Sequence, residues 1–162
     1  MVTAQEAQMS EGFDVAAFVR TAKNTTGFPG KVWVKILGNE NPPDRDSNIA
    51  IHRASSKFTN GIPTIFIPSV KTIMRETGVD MLSSQALVKA GILEELCHLK
   101  YADAQHDEKL YNCMVAGVNT IMDSAEREAV KGKMKRLQAY VEMHKNIAPI
   151  PMLGVTPRTR RP

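Results

Sequence analysis

A glutamate and a histidine four residues apart form the pattern in this sequence with the clearest chemical meaning. Glu94 and His98 lie in the stretch 92–100, where apolar residues occupy most of the other positions. At about 100° per residue, this spacing places both side chains on one face of a helix. A helix that is apolar on most sides packs in a core, so its narrow polar stripe must face a cleft, a metal or a partner.

Ligands four residues apart on a helix form the frame of the His-Glu-x-x-His motif, which binds zinc and activates a water molecule through its glutamate. Here the frame reads Glu-Glu-Leu-Cys-His from Glu94 to His98. A carboxylate ligand cancels more of the metal charge than a neutral histidine, so a bound water becomes less acidic. The pattern therefore supports a role for Glu94 and His98 as zinc ligands. It gives weaker support to a role for Glu95 as the general base that activates the water. Without a metal, the same two side chains would form a carboxylate–imidazole hydrogen bond.

The surrounding sequence resembles the SprT-like and related minimal zincin metallopeptidases. The resemblance covers residues 63–114, and it includes His106 and the stretch 109–111, because a further histidine and an aromatic residue follow the motif helix in these proteins. It implies a zincin-like fold, a zinc cofactor, Glu95 as the catalytic residue and a peptide or protein as substrate or partner. The strand before the motif helix, at residues 65–68, would line the substrate cleft. The altered first ligand also implies an alternative, a decayed pseudopeptidase that keeps the scaffold.

The third zinc ligand has several candidates. His106 is the natural one, because it follows His98 by eight residues with a non-helical link between them. Asp103 and Asp107 are substitutes, and Glu126 matches those zincins whose third ligand is a downstream glutamate. His106 fits equally well as the first residue of the next helix, with no role in metal binding.

Two cysteines, Cys97 and Cys113, are too few for the disulfide framework of a small secreted protein. The polar, acidic N-terminal stretch is not a secretory signal, and no apolar run approaches the roughly 20 residues of a membrane span. We therefore predict a cytoplasmic protein with no membrane contact, in which both cysteines are reduced. Helical spacing turns Cys97 into the apolar arc, which favours a buried thiol over a Cys/His zinc site.

The chain has 162 residues, of which 43% are hydrophobic and 23% charged, as is typical of one globular domain. Its patterns predict an α+β fold: an N-terminal helix at 5–23, a small, three-stranded, mostly antiparallel sheet at 31–37, 48–55 and 63–68, and then a bundle of helices. Asn60-Gly61 predicts a hairpin before the third strand. Prolines at both ends of that strand favour an edge position in the sheet.

Four helices are predicted after the sheet. The first spans 69–77 and ends at Gly78, and the motif helix starts at Ser83 or Ser84 and runs to about residue 100. The third spans 107–118. The last, at 123–145, starts with the capping box Asp123-x-x-Glu126 and buries one face, which carries apolar residues at helical spacing.

The domain is predicted to span residues 1–147, followed by an extended basic tail at 148–162. From residue 131 onwards there are eight lysines and arginines against one acid, whereas the whole chain carries a net charge of only +4. Arg158, Arg160 and Arg161, next to prolines, suit phosphate groups or an acidic surface. This predicts a second class of function, a non-enzymatic structural or interaction component of a larger assembly. It would dock an acidic or nucleic-acid partner through this arm.

Overall fold

The computed structural model describes residues 11–38, 55–59, 62–101 and 107–146. Within these residues, five helices and a three-stranded sheet form a fold of the α+β class that the sequence predicted. In chain order they are α1 (Val15–Thr26), β1 (Trp33–Leu37), β2 (Ser55–Thr59), β3 (Ile62–Pro68), α2 (Val70–Thr77), α3 (Met81–Lys100), α4 (Glu108–Ile121) and α5 (Ser124–Asn146).

The sheet is mixed, and its central strand is β3. The strand order is β1-β3-β2, with β1 parallel and β2 antiparallel to β3. The predictions of a mostly antiparallel sheet and of an edge position for the third strand are therefore wrong. Pro63 and Pro68 are tolerated because they lie at the second and last positions of β3, where a missing N–H interrupts few ladder bonds. Ile65 and Ile67 between them are fully buried, and this burial favours the central position.

The hairpin predicted at Asn60-Gly61 is confirmed by the pairing of the strands on either side. Thr59 is opposite Ile62 in the antiparallel register of β2 and β3. The second strand occupies Ser55–Thr59, and most of its predicted span, 48–55, lies outside the described residues. Since β3 is central, the role of cleft-lining edge strand cannot belong to residues 65–68.

Capping side chains set the starts of α2 and α5, and a glycine sets the end of α2. Ser69 Oγ accepts a hydrogen bond from the Thr72 N–H at 3.1 Å, and Gly78 ends α2 with φ +71°. At the start of α5, the Glu126 N–H donates to Asp123 Oδ1 at 2.8 Å, and the Asp123 N–H donates to Glu126 Oε1 at 3.2 Å. The capping box is thereby confirmed.

The motif helix starts earlier than predicted. Its N-cap is Asp80, whose Oδ1 accepts from the Ser83 N–H at 2.7 Å, rather than Ser83 or Ser84. Asp80 has extended backbone angles, as an N-cap requires, and aspartate caps as well as serine does. The earlier start makes α3 a helix of 20 residues and places Ser84 in the buried interior.

The N-cap hydrogen bonds from Ser83 lower the pKa of Asp80 below its ordinary value. A carboxyl whose folded-state pKa is lowered stabilises the fold above its unfolded-state pKa, and this contribution is lost as the pH falls through the folded-state pKa. We expect Asp80→Asn, which keeps a capping oxygen, to unfold at a slightly lower temperature than the wild type at neutral pH. The two melting curves should converge at strongly acidic pH. Thermal unfolding followed by circular dichroism measures this, and a pH-independent gap would contradict it.

Helix α3 occupies the centre of the fold, where it contacts α1, α2, α4, α5 and β3. Its middle turns are buried, including Leu93 and Cys97, which face α4. A Cβ atom added to Gly117 of α4 would lie 2.9 Å from Leu93 Cδ2, so the absence of a side chain there lets the two helices approach closely. Cys97 meets Cys113 one turn further along, which shows that α3 and α4 are antiparallel.

The last helix of the predicted domain and most of the first are within the described residues. Helix α1 covers Val15–Thr26 after the N-cap Asp14, so it ends later than predicted, and residues 5–10 of the predicted span lie outside the described residues. The predicted face of α5 is confirmed by Val130 and Val141, both buried, while Met134 and Leu137 pack against the core. No helix in the described ranges has both the length and the apolar character needed to cross a bilayer. The basic tail at 148–162 lies outside the described residues.

Candidate functional site

The polar stripe of α3 lies where the sequence placed it. Glu94 and Glu95 are both buried, in the turn before the partly exposed His98. Helical periodicity predicted this burial, because the neighbours of these residues on the helix are almost all apolar. A buried carboxylate needs a partner that compensates its charge, so the site is defined by what lies opposite the stripe.

Glu94 forms an ion pair with a lysine on α5. Lys133 Nζ lies 2.5 Å from Glu94 Oε2, and the two side chains are 24% and 12% exposed. Lys133 reaches this position because it follows Val130 by three residues and precedes Leu137 by four, on the flank of the face that α5 buries. The charge of Glu94 is therefore compensated by an ammonium group from another helix.

A second ion pair of opposite polarity joins the same two helices. Lys89 of α3 places Nζ 2.6 Å from Glu126 Oε2 of α5. The same ammonium lies 4.9 Å from the ring centroid of Phe13 and 5.7 Å from that of Phe18. In one pair α3 supplies the glutamate, and in the other it supplies the lysine. Sliding one helix along the other would break both pairs, so together they favour a single register between α3 and α5. Glu126, one of the alternative third ligands, is thus engaged by Lys89 and by its capping box.

Of the other candidate zinc ligands, one caps a helix and two lie outside the described residues. Asp107 caps α4, where its Oδ1 accepts from the Leu110 N–H at 3.1 Å. His106 and Asp103 lie outside the described residues. In the described part of the chain, no three His, Cys, Asp or Glu side chains are grouped closely enough to hold a metal ion.

Most of the candidate zinc ligands within the described residues already have ion-pair or hydrogen-bond partners in the protein. A zinc ion at Glu94 and His98 would have to displace the ammonium of Lys133, and Asp107 and Glu126 already accept hydrogen bonds elsewhere. The described donors therefore do not fit a resident zinc. Coordination by Glu94, His98 and His106, with Glu95 as base, stays a prediction.

The two cysteines form a disulfide, so the prediction of two reduced thiols is wrong. Cys97 of α3 and Cys113 of α4 are bonded, with their Cα atoms 5.9 Å apart, within the range that a disulfide requires. The periodicity of one helix showed that Cys97 points into the core, but it could not show which residue of another helix meets it there. One signal was present: the two cysteines are nearly equidistant from the α3–α4 connection, and a helical hairpin brings such positions together. The bonded pair also leaves no thiolate for a Cys/His zinc site.

Sequence reasoning missed the role of Lys133. That residue was counted only as one of the eight basic residues from position 131 onwards. The available signal was its position three residues after Val130, next to the buried face of α5. A lysine on such a flank buries its stem and directs its charge towards the neighbouring helix.

Comparisons with the models of protein families, with curated proteins and with solved structures gave no match to this chain. The resemblance to the minimal zincins therefore depends on residues 63–114 alone.

Proposed function

We propose that this chain is a zincin-like pseudopeptidase, a protein that keeps the motif helix of a metallopeptidase and binds a peptide or protein without cleaving it. One observation supports this choice over an active peptidase. Lys133 Nζ lies 2.5 Å from Glu94 Oε2, so an ammonium group meets the carboxylate that the resemblance assigns to zinc. The charge that a metal would balance at Glu94 is balanced by the protein.

An ammonium group cannot replace the chemistry of zinc. Zinc lowers the pKa of a bound water and polarises a carbonyl oxygen, whereas a lysine ammonium has no open coordination position for either. With Lys133 in place, Glu95 has no activated water from which to take a proton. Glu95 is also buried, so its proposed role is to hold α3 in the core rather than to act on substrate.

The second candidate is the non-enzymatic component that docks an acidic or nucleic-acid partner through a basic arm. Lys131, Lys135 and Arg136 of α5 are exposed, and they supply positive charge on the helix that leads to the arm. The arginines of the arm, Arg158, Arg160 and Arg161, lie outside the described residues. This candidate is compatible with a pseudopeptidase, because neither requires a metal.

A cytoplasmic location was predicted in part from two reduced cysteines. The disulfide between Cys97 and Cys113 removes that argument, because disulfides persist in oxidising compartments and are rare in the cytosol. An oxidising compartment therefore agrees better with the bonded pair than the cytoplasm does.

Zinc binding tests the proposal. We expect the wild-type protein, equilibrated with zinc and passed through a desalting column, to retain no stoichiometric metal. The variant Glu94→His/Lys133→Ser restores the familiar ligand and removes the ammonium, so it should retain about one zinc per chain. Elemental analysis measures the metal, and the same variant with His98→Ala is the matched control, expected to lose it.

Other outcomes assign the protein differently. If the wild type holds one zinc and His98→Ala releases it, the chain is a metal-dependent protein and the pseudopeptidase proposal fails. If the restored variant is folded by circular dichroism and still binds no zinc, the residues do not form a zincin-like site at all. In that case the interaction component remains.

A further inference from the structure

Three exposed residues alternate along the first strand and the two residues before it. Lys31, Trp33 and Lys35 are exposed, while Val32 and Val34 between them turn to the other side and pack against the core. The alternation follows from the period of two in extended chain. One face of this segment is therefore part of the core, and the other presents a lysine, a tryptophan and a lysine in a row.

Packing does not explain why a tryptophan and two lysines are exposed on this face. Trp33 is the one tryptophan of the chain, and it is 50% exposed although its ring is the largest apolar group available to a core. Among the described residues, neither Lys31 nor Lys35 has an ion-pair partner, in contrast to Lys89 and Lys133. The surface thus combines an open aromatic ring with two uncompensated positive charges.

We propose that Lys31, Trp33 and Lys35 form a binding surface for single-stranded nucleic acid. A base would stack on the indole ring of Trp33, and the two ammonium groups would contact the phosphates on either side of that nucleotide. Alternate side chains of a strand are about 7 Å apart, so both lysines are within reach of a strand that crosses the ring. Aromatic rings flanked by basic residues bind single strands in this way without reading their sequence.

The residue types favour this partner over other anionic ones. Duplex DNA would satisfy the lysines, but its bases are stacked on one another and cannot stack on Trp33. An acidic protein surface would also satisfy the charges and would leave the open ring unexplained. A membrane surface would require a contiguous exposed apolar patch, whereas along this strand the ring lies between two exposed lysines, and Phe66, opposite Lys35 on β3, is buried. The proposal is independent of the zincin-like site and of the C-terminal arm.

Tryptophan fluorescence of the full chain, excited selectively over its three tyrosines, provides the test, because Trp33 is the one tryptophan. Titration with an oligothymidylate of about 15 nucleotides should quench the emission saturably as a base stacks on the ring. Polarisation of a labelled oligothymidylate should show about tenfold weaker binding by Trp33→Ala, and a small change for Trp33→Phe. Lys31→Gln/Lys35→Gln should reduce the slope of log affinity against log salt by about 1.4, since each lost phosphate contact contributes about 0.7.

The controls separate this surface from other sources of binding. Arg158→Gln/Arg160→Gln/Arg161→Gln should leave the quenching of Trp33 unchanged, because the proposed stacking on the ring does not involve these side chains. Circular dichroism confirms that each variant is folded. Equal quenching by a duplex or by heparin would overturn the proposal, as would unchanged oligothymidylate affinity in Trp33→Ala. A shift of emission with anionic phospholipid vesicles and none with the oligonucleotide would assign the surface to membranes instead.

Discussion

Replacing Cys113 by alanine is expected to lower the free energy of unfolding by about 3 kcal/mol. The bond to Cys97 closes a loop across a sequence separation of 16, and the loop-closure entropy that a cross-link of this length removes from the unfolded chain corresponds to about 3 kcal/mol. The loss should appear in urea unfolding as a lower midpoint. Cys113 is only partly buried, so truncating it adds little from lost packing.

The reductant provides the matched control for this prediction. Dithiothreitol should lower the stability of the wild type to about that of Cys113→Ala and should leave the variant unchanged. If the denatured wild type instead reacts with a thiol reagent at both cysteines, and reductant has no effect, the bond does not form in solution. The prediction of two reduced thiols would then be correct after all.

The disulfide also affects the candidate site. Cys97 directly precedes His98, so the bond attaches the last turn of α3 to α4. His106 lies in the connection between these helices, outside the described residues. Reduction of the bond is therefore a change next to His98, one of the predicted zinc ligands. Metal retention by the restored variant should be compared with and without reductant for this reason.

Replacing Lys133 by methionine is expected to lower the free energy of unfolding by about 2–3 kcal/mol. The change leaves the carboxylate of Glu94, whose side chain is 12% exposed, without its ammonium partner. Removing one member of a fully buried pair costs about 3–5 kcal/mol, and the 24% exposure of Lys133 reduces that figure. Methionine fills the space of the lysine stem, so the loss reports the charge rather than a cavity.

A double-mutant cycle isolates the pair. Glu94→Gln/Lys133→Met should recover most of the lost stability, because both charges of the pair are then removed together. The control is Lys145→Met, since Lys145 pairs with Glu108 at 3.2 Å with both side chains about half exposed. That change should cost less than about 1 kcal/mol. If Lys133→Met is equally mild, the ion pair contributes little to stability in solution.

Local patterns in the sequence predicted much of the helical structure. The capping box of Asp123 and Glu126 and the end of α2 at Gly78 were found from the sequence, because each involves residues within a few positions of one another. The burial of α3 and the inward face of α5 followed from helical periodicity, which is also local. The hairpin before β3 followed from a two-residue turn signal.

The errors concern contacts between residues far apart in the chain. Pro63 and Pro68 suggested an edge strand, but β3 is central because burial on both sides outweighs two prolines near its ends. Cys97 was assigned the right direction and the wrong partner. Helical periodicity predicts the direction in which a side chain points from its own helix. The residue that this side chain contacts depends on how α4 packs against α3.

The same reason explains the candidate site. Helical spacing was sufficient to identify Glu94 and His98 as a polar stripe in a buried helix. It could not identify Lys133, which lies 39 positions after Glu94 and reaches it because α5 packs beside α3. A buried carboxylate is compensated by a metal or by an ammonium group, and this choice depends on the opposite helix, whose position follows from the packing of the whole core.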